Sequence, residues 1–488
     1  MSSFLILLCV LGYFAILMAI SWYTSKKADA DSYFLGNKNS PWYIVAFGML
    51  GDSLSGVTFI SVPGAVGAAK FGYLQLVLGY FFGYIIISQL LLPLYYRLNL
   101  VSIYTYLEQR FGTKTQKTGA YFFLLSRILG AGARLFLAAS VIQLFIFDAL
   151  GIPFWATILI VILAILGYTT KGGIKTLVWT DSLQSLLLIL GVVFSLVAIC
   201  QSLHFSFGDM VQAIANDERS QIFFWDVKEK SFFFKQFIGG VFIAATMTGL
   251  DQNMMQKNLS CKNLGEAQKN ITWFSVIMVI TNVFFLSLGV LLWIYRDQLQ
   301  IELPMNAIGK PDTDKLFPLL ALNHLGLMAG IAFIVGLTAA TFSSADSVLT
   351  TLTTSYYFDI ANYDNDMSFT FAQKTKRRRI IHICFAILLF LTILVKKMLN
   401  SSAVIDTVMR IANYTYGPLL GLFAFGLFTK IRVRDHFTPI VCVIAPMICY
   451  YIDTHSVQLL NGYKFGNELI LLNGTLTFIG LFLSKEKE

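Results

Sequence analysis

The chain has 488 residues, of which 56% are hydrophobic and only 13% are charged, and its mean hydropathy is +0.69. Soluble domains carry about 25% charged residues, so the composition excludes an ordinary soluble protein and predicts a multi-pass membrane protein with a single domain (1–488). The net charge of +9 does not indicate a nucleic-acid partner, because the lysines and arginines lie mainly between apolar segments.

Apolar segments long enough to cross a bilayer recur along the whole chain. Lysines and arginines are roughly twice as frequent in one set of alternating loops, which by the positive-inside rule places the amino terminus outside and the carboxyl terminus in the cytoplasm. Lys257 is assigned to a cytoplasmic loop, and the connections 201–232 and 296–325 are expected to form short helices over the outer face. We predict about thirteen spans of ~20 residues, near residues 3–24, 42–68, 72–96, 118–147, 153–170, 176–200, 233–256, 271–295, 326–358, 380–399, 402–429, 437–452 and 466–484.

A polar stretch, GMLGDSLSG (residues 48–56), interrupts the second predicted span. A carboxylate at membrane depth costs about 2.5–3.5 kcal/mol even on lenient scales. Glycines and polar residues there can mark a broken helix, which is tolerated where the freed backbone lines a cavity or meets an ion. The alternative is that small residues only let two helices pack closely. Asp52 favours the broken helix, because a packing motif has no use for a carboxylate.

A glycine pair and an aspartate mark the sixth predicted span, in YTTKGGIKTLVWTDSLQSLLL (residues 168–188). Asp181 follows the basic glycine turn by about two helical turns, and on its own it fits an ordinary acid near a span end. The scattered cysteines and isolated histidines do not indicate a metal site. The sequence holds no Walker loop, nucleophile elbow or zinc signature, so we expect no enzymatic activity.

The ninth predicted span carries a row of hydroxyl groups, in GLTAATFSSADSVLTTLTTSYYFD (residues 336–359). Spacings of three or four residues place them on one helical face, and oxygen ligands of this kind suit a hard cation. The alternative is that each hydroxyl donates to the carbonyl one turn back. The row consists of Thr341, Ser344, Ser347, Thr351 and Thr354, flanked by Ser343 and Asp346.

Together the three segments resemble the sodium:solute symporter family, which includes sodium/glucose, sodium/proline and sodium/sialic acid cotransporters. GGIKTLVWTDSLQ is the most specific match, and SLSGVTFISVPG and SSADSVLTTLTTSYYFDI match the first and eighth core helices of that family. The resemblance covers about residues 5–430. It implies an all-α membrane protein with the LeuT-type fold, which consists of two inverted five-helix repeats and three peripheral helices.

The resemblance also implies where the repeats and their broken helices lie. The first repeat would span 42–203 and the second 232–430. Residues 1–41 would form the first peripheral helix and an inner loop, and 431–488 the other two peripheral helices. The first helix of each repeat is broken in the family, which places breaks near Gly51–Gly56 and near residues 244–249.

Sodium is the coupling ion that the resemblance implies. The main Na+ site would take backbone carbonyls from Gly51, Leu54 and Ala340 and side-chain oxygens from Ser343 and Ser344. A second Na+ site, which only some members have, would fall on Asp181, Ser343, Asp346 and Ser347. Members with two sodium ions tend to have serine in place of Asp346, so this carboxylate would hold the second cation more tightly or bind a proton instead.

The solute site is less well determined by the resemblance. Arg134 falls where sialic acid transporters place an arginine that binds a carboxylate, and Arg410 falls at the outer gate. Both arginines could instead pair with intramembrane acids, namely Asp52, Asp346 or Asp406. Asp52 itself could contact an ion, pair with either arginine or meet a substrate ammonium. The full set of candidate substrate-binding residues is Ser55, Thr58, Tyr80, Arg134, Met247 and Arg410.

The function implied is sodium-coupled import of a small organic solute across the cell membrane by alternating access. The solute would be anionic, such as an acidic sugar or a carboxylate, if one arginine is free of internal partners. A proton-coupled symporter, a sodium-dependent sensor with the same fold and an ion channel are the alternatives. The partners expected are the solute, the sodium ion and the lipid bilayer.

Overall fold

The computed structural model describes residues 3–25, 30–305, 309, 311–364, 366, 368–399 and 404–486. Within these residues the chain forms twenty α-helices and no β-strand. The first ten are α1 (Ser3–Ser25), α2 (Ala30–Leu35), α3 (Trp42–Ser53), α4 (Gly56–Ala69), α5 (Tyr73–Ile86), α6 (Leu92–Arg97), α7 (Thr105–Arg110), α8 (Thr113–Ile142), α9 (Phe154–Ser202) and α10 (Phe207–Asn216). The others are α11 (Phe233–Met247), α12 (Gln252–Leu259), α13 (Leu264–Gln298), α14 (Leu316–Asn323), α15 (Gly326–Ser355), α16 (Phe371–Leu399), α17 (Val404–Phe428), α18 (Thr438–Thr454), α19 (Ser456–Leu459) and α20 (Leu469–Leu483).

The described residues contain nine helical segments that are long and apolar enough to cross a membrane, or ten if the bent pair of α11 and α12 counts as one span. Two shorter apolar helices, Phe154–Thr170 and Leu469–Leu483, add to these. The count of thirteen spans therefore stays a prediction. The count of nine treats residues 56–97 as one segment, whereas the prediction divides them between two spans. Lys70 (φ 52°, ψ −146°) leaves helical geometry at the predicted division.

The break predicted in the second span lies between α3 and α4. Leu54 (φ −91°, ψ 71°) and Ser55 (φ −68°, ψ 174°) are not helical, and α4 resumes at Gly56. The second break lies between α11 and α12, whose axes differ by 65°. Asp251 begins α12 there, because its side chain accepts a hydrogen bond from the backbone N–H of Met254 at 3.1 Å, as an N-cap does.

Gly173 divides the long helix α9 into the two spans that the sequence predicts. Its backbone (φ 54°, ψ −151°) lies in a region that favours glycine. A Cβ atom at this position would lie 2.4 Å from the carbonyl oxygen of Tyr33. The close packing of α2 against α9 therefore requires glycine at position 173. In the two long connections the short helices α10 and α14 form, which confirms that part of the prediction.

The core of the molecule surrounds α15. This helix packs along α9 and also contacts α3, α8 and α12. Every residue from 336 to 355 in α15 is buried, and so is every residue of α12. Because α12 lies on the far side of the second break, this arrangement brings both broken helices against the hydroxyl row of α15.

Candidate functional site

A cavity of about 80 Å³ lies beside the two breaks. It is lined by residues of α4, α5 and α8 and by the end of α11. The structure thereby brings together five of the six candidate substrate-binding residues: Ser55, Thr58, Tyr80, Arg134 and Met247. Tyr73, Tyr84, Thr248 and Asn282 add further polar groups to the same cavity.

Arg410, the sixth candidate, lies outside this cavity. It lines a neighbouring cavity of about 450 Å³ together with Lys70, Lys230 and Asp453. The two cavities share Tyr73 and Met409 in their walls, so they adjoin. Arg410 is therefore placed next to the candidate solute site.

Arg134 has no carboxylate within 4 Å among the residues that the structure describes, whereas Arg127 has one. The Nε atom of Arg127 lies 2.6 Å from Oδ2 of Asp251, and the hydroxyl of Tyr416 donates to the same oxygen at 2.6 Å. The pairing of Arg127 was not predicted. Arg127 and Arg134 are seven residues apart and so share a face of α8, and the sequence alone did not separate the paired arginine from the unpaired one.

Asp52 and Asp346 are not bound by either candidate arginine, so the alternative in which an arginine pairs with one of these two acids is wrong. Asp52 accepts from Lys257 and, at 3.2 Å, from Nδ2 of Asn253. Asp346 accepts from the Tyr168 hydroxyl at 2.8 Å and from the backbone N–H of Ser347 at 2.6 Å. These acids therefore have other partners, and the side chain of Asp406 lies outside the described residues.

Lys257 is buried at the centre of the molecule, so its assignment to a cytoplasmic loop is wrong. Its side chain is 1% exposed, and its Nζ atom contacts carboxylate oxygens of both Asp52 and Asp181. A third contact, of 3.0 Å, joins Nζ to Oγ of Ser347. The bend between α11 and α12 explains the difference, because it turns the residues after the break inward instead of letting them continue to the surface.

Two of the proposed main sodium ligands, Gly51 and Ser343, lie against each other where α3 approaches α15. A Cβ atom on Gly51 would lie 2.7 Å from Oγ of Ser343 and 2.9 Å from Oγ of Ser185, so a larger residue here would force these hydroxyls or the helices to shift. Among the described residues, the buried Ser343 Oγ has no hydrogen-bond partner. An unpaired buried oxygen of this kind calls for a partner, and a sodium ion beside the break would supply one.

Ser344 is also suited to bind a cation. Its hydroxyl donates its proton in a hydrogen bond to the Thr341 carbonyl at 3.0 Å. The lone pairs of the hydroxyl oxygen therefore remain available to a cation. Thr341 and Thr354 likewise donate to carbonyls one turn back, as the alternative for the hydroxyl row supposed. Ser347 differs, because its hydroxyl donates to Asp181 at 3.2 Å.

The match to a family model extends over residues 33–435 and is to the "Sodium:solute symporter family". A sodium/sialic acid symporter of Aliivibrio fischeri is 24% identical over 87% of this chain and 83% of its own length. A sodium/sialic acid symporter of Proteus mirabilis is 24% identical over 86% and 84%, respectively. The human sodium-coupled monocarboxylate transporter 2 is 24% identical over 82% of this chain and 64% of its own length.

Solved structures give the same picture of the fold. The structure of a Na+-coupled sialic acid symporter in a substrate-bound outward-open state matches with a TM-score of 0.82, at 21% identity and over 99% of both chains. A nucleobase-cation-symport-1 family transporter matches with a TM-score of 0.55 at 14% identity, over 93% of this chain and 94% of the other. The predicted fold class is thereby confirmed.

Proposed function

This chain belongs to the sodium:solute symporter family, and on that premise we propose that sodium binds where α3 meets α15 and that a carboxylate of the solute binds Arg134. The protein is a multi-pass membrane protein that couples sodium to the import of a small organic solute by alternating access. The assignment of its individual residues to the two sites is our proposal.

The main support for the sodium assignment is the buried hydroxyl of Ser343, which has no hydrogen-bond partner among the described residues. It lies against Gly51, at the end of the half-helix that precedes the first break. Ser344 and the carbonyls of Gly51, Leu54 and Ala340 would complete a shell of oxygen atoms, which a hard cation prefers. Because α3 and α15 contribute ligands together, a bound sodium ion would hold these two helices in contact.

The absence of a carboxylate partner at Arg134, within the described part of the chain, carries the solute assignment. An arginine at membrane depth faces the protein interior and pairs with something. Its planar guanidinium binds a carboxylate through two parallel hydrogen bonds. Ser55, Thr58 and Tyr80 would contact the uncharged polar groups of the solute. The relatives are named for sialic acid and monocarboxylates, and both kinds of solute carry a carboxylate.

Coupling between the two sites follows from their adjacency in the first break. Leu54 is assigned to sodium and Ser55 to the solute, and both residues lie in the non-helical segment between α3 and α4. Sodium would hold the Leu54 carbonyl and thereby keep Ser55 in the geometry that the solute needs. Each ligand therefore lowers the cost of ordering the segment for the other, which is positive cooperativity in binding.

Four further features are part of the proposal. The amino terminus lies outside and the carboxyl terminus in the cytoplasm. The inverted repeats span 42–203 and 232–430, which is supported by the occurrence of a break near the start of each. Arg410 lies at the outer entrance of the solute site. The solute is transported unchanged, without enzymatic chemistry.

Concentrative uptake in proteoliposomes tests the proposal. Protein would be screened by thermal shift against acidic sugars, monocarboxylates, neutral sugars and amino acids, in sodium and in potassium. Labelled forms of the best binders would then be used for uptake. We expect accumulation of a carboxylate above equilibrium that requires an inward sodium gradient and stops when an ionophore collapses it. Accumulation driven by a proton gradient alone, flux only down the solute gradient, or binding without transport would favour the proton-coupled, channel and sensor alternatives.

A further inference from the structure

We propose that the ammonium group of Lys257 is a resident cation that takes the place of a second sodium ion, so that the transporter binds one sodium ion per cycle. The inference rests on the proposed sodium site at Ser343 and deepens it by setting the stoichiometry. The inference is based on the contacts of Lys257, a residue that the sequence analysis assigned to a cytoplasmic loop.

The contacts of Lys257 account for all of its donors. An ammonium group has three N–H donors and no acceptor. The three acceptors are Asp52 on α3, Asp181 on α9 and Ser347 on α15. Asp181 and Ser347 belong to the set that was assigned to a second sodium ion. The ammonium therefore already occupies oxygen atoms that such an ion would need.

Charge leads to the same conclusion. Asp52 and Asp181 are buried carboxylates, with side chains 1% and 0% exposed, and each contacts Lys257. Uncompensated buried charge is costly, so this pair of acids requires a cation close by, and the ammonium of Lys257 supplies one positive charge in contact with both. A sodium ion bound to Asp181 would have to sit beside the ammonium, and the repulsion between two like charges at such short range disfavours it.

The tether distinguishes this cation from a sodium ion. Lys257 is covalently part of α12, beyond the second break, whereas Asp52 precedes the first break. Its charge stays in the protein through the cycle and does not contribute to the charge that is transported. A second sodium ion in the same place would be released with the solute, and its gradient would add to the driving force.

Removing the lysine should convert the site into one for a second sodium ion. Oδ1 of Asp52 and Oδ1 of Asp181 are buried and have no hydrogen-bond partner among the described residues. In Lys257→Ala these oxygens, together with those that the ammonium releases, would surround a cavity with two negative charges. Sodium fits such a site because its ligands are hard oxygen atoms.

Equilibrium binding of radioactive sodium to purified protein, without solute, tests the proposal. We expect one sodium ion per protein for the unaltered chain and two for Lys257→Ala. The melting temperature of the variant should also rise more steeply with sodium concentration. Lys257→Ala combined with Asp181→Ala should return to one ion. Lys269→Ala, which removes an exposed lysine of the next helix, is the matched control and should bind one.

Two sodium ions bound to the unaltered chain would overturn the proposal, as would a folded Lys257→Ala variant that still binds one. The count for the unaltered chain decides the question even if the variant does not fold. If neither the unaltered chain nor Ser343→Ala binds sodium, the proposed main site is refuted instead. Failure of the stoichiometry and failure of the proposed function are therefore distinguishable.

Discussion

Asp52 and Lys257 form a buried ion pair between the two broken helices, although they are 205 positions apart in the chain. Asp52 lies in the last turn of α3, next to the first break, and Lys257 lies on the short helix that follows the second. The pair therefore joins the two broken helices directly. Breaking it by removing one partner would leave the other charge buried and uncompensated, which is far more costly than losing a surface pair.

Ser343→Ala should raise the sodium concentration for half-maximal binding by about tenfold or more, because a hydrogen-bond-like contact to a charge is worth about 1.5–3 kcal/mol. Stability without sodium should hardly change, since the hydroxyl has no partner among the described residues. Sodium titrations followed by thermal shift would measure both. Ser195→Ala is the control, because that buried hydroxyl donates to the Gly191 carbonyl of its own helix. An unchanged sodium dependence in Ser343→Ala would rule out the assignment.

Gly51→Ala should weaken sodium binding through geometry rather than through the loss of a ligand. The added methyl group would come within 2.7 Å of Ser343 Oγ and would push α3 away from α15. Overpacking of this kind costs about 1–3 kcal/mol. Gly130→Ala is the matched control, since its methyl group would meet nothing within 4 Å, and it should leave sodium binding intact. Equal behaviour of the two variants in sodium titrations would contradict the close approach.

Arg134→Lys should keep the fold but weaken binding of the carboxylate solute by about 1.5–3 kcal/mol, roughly ten- to a hundredfold. Lysine retains the charge but cannot form two parallel hydrogen bonds. Arg134→Gln should lose more for the acid and little for a neutral analogue of the same solute. Binding assays with the acid and its amide would compare the variants. A neutral sugar as the best substrate, or normal transport by both variants, would refute the role of Arg134.

Arg127→Gln should unfold more easily, because it removes the cation that pairs with Asp251. It leaves the Asp251 carboxylate buried beside the second break without its cation, a loss of about 3–5 kcal/mol. Adding Asp251→Asn should restore much of the melting temperature, because the uncompensated charge is then gone. Arg134→Gln serves as the comparison and should lose much less stability. If the two single variants melt alike, the distinction between a paired and an unpaired arginine is wrong.

The sequence by itself determined the membrane class, the symporter family and the position of both breaks. The membrane class and the first break follow from local chemistry: apolar segments of bilayer length, and glycine, serine and aspartate residues where a helix cannot continue at low cost. The family and the second break, near residues 244–249, follow from the resemblance of three motifs to those of known symporters. The proximity of Gly51 to Ser343 was also anticipated, because both segments carry motifs of the family. One cavity beside the breaks likewise brings together Ser55, Thr58, Tyr80, Arg134 and Met247, which the resemblance placed at one site.

Only the tertiary structure decided which charges meet. A lysine directly after a predicted span looks the same in sequence whether it anchors a loop or turns inward, and the 65° bend between α11 and α12 decides between these outcomes. The partners of Lys257 and Arg127 are 76 to 205 positions away in the chain. Such pairs are set by how helices pack, since burial makes each charge depend on whichever opposite charge lies within a few ångströms.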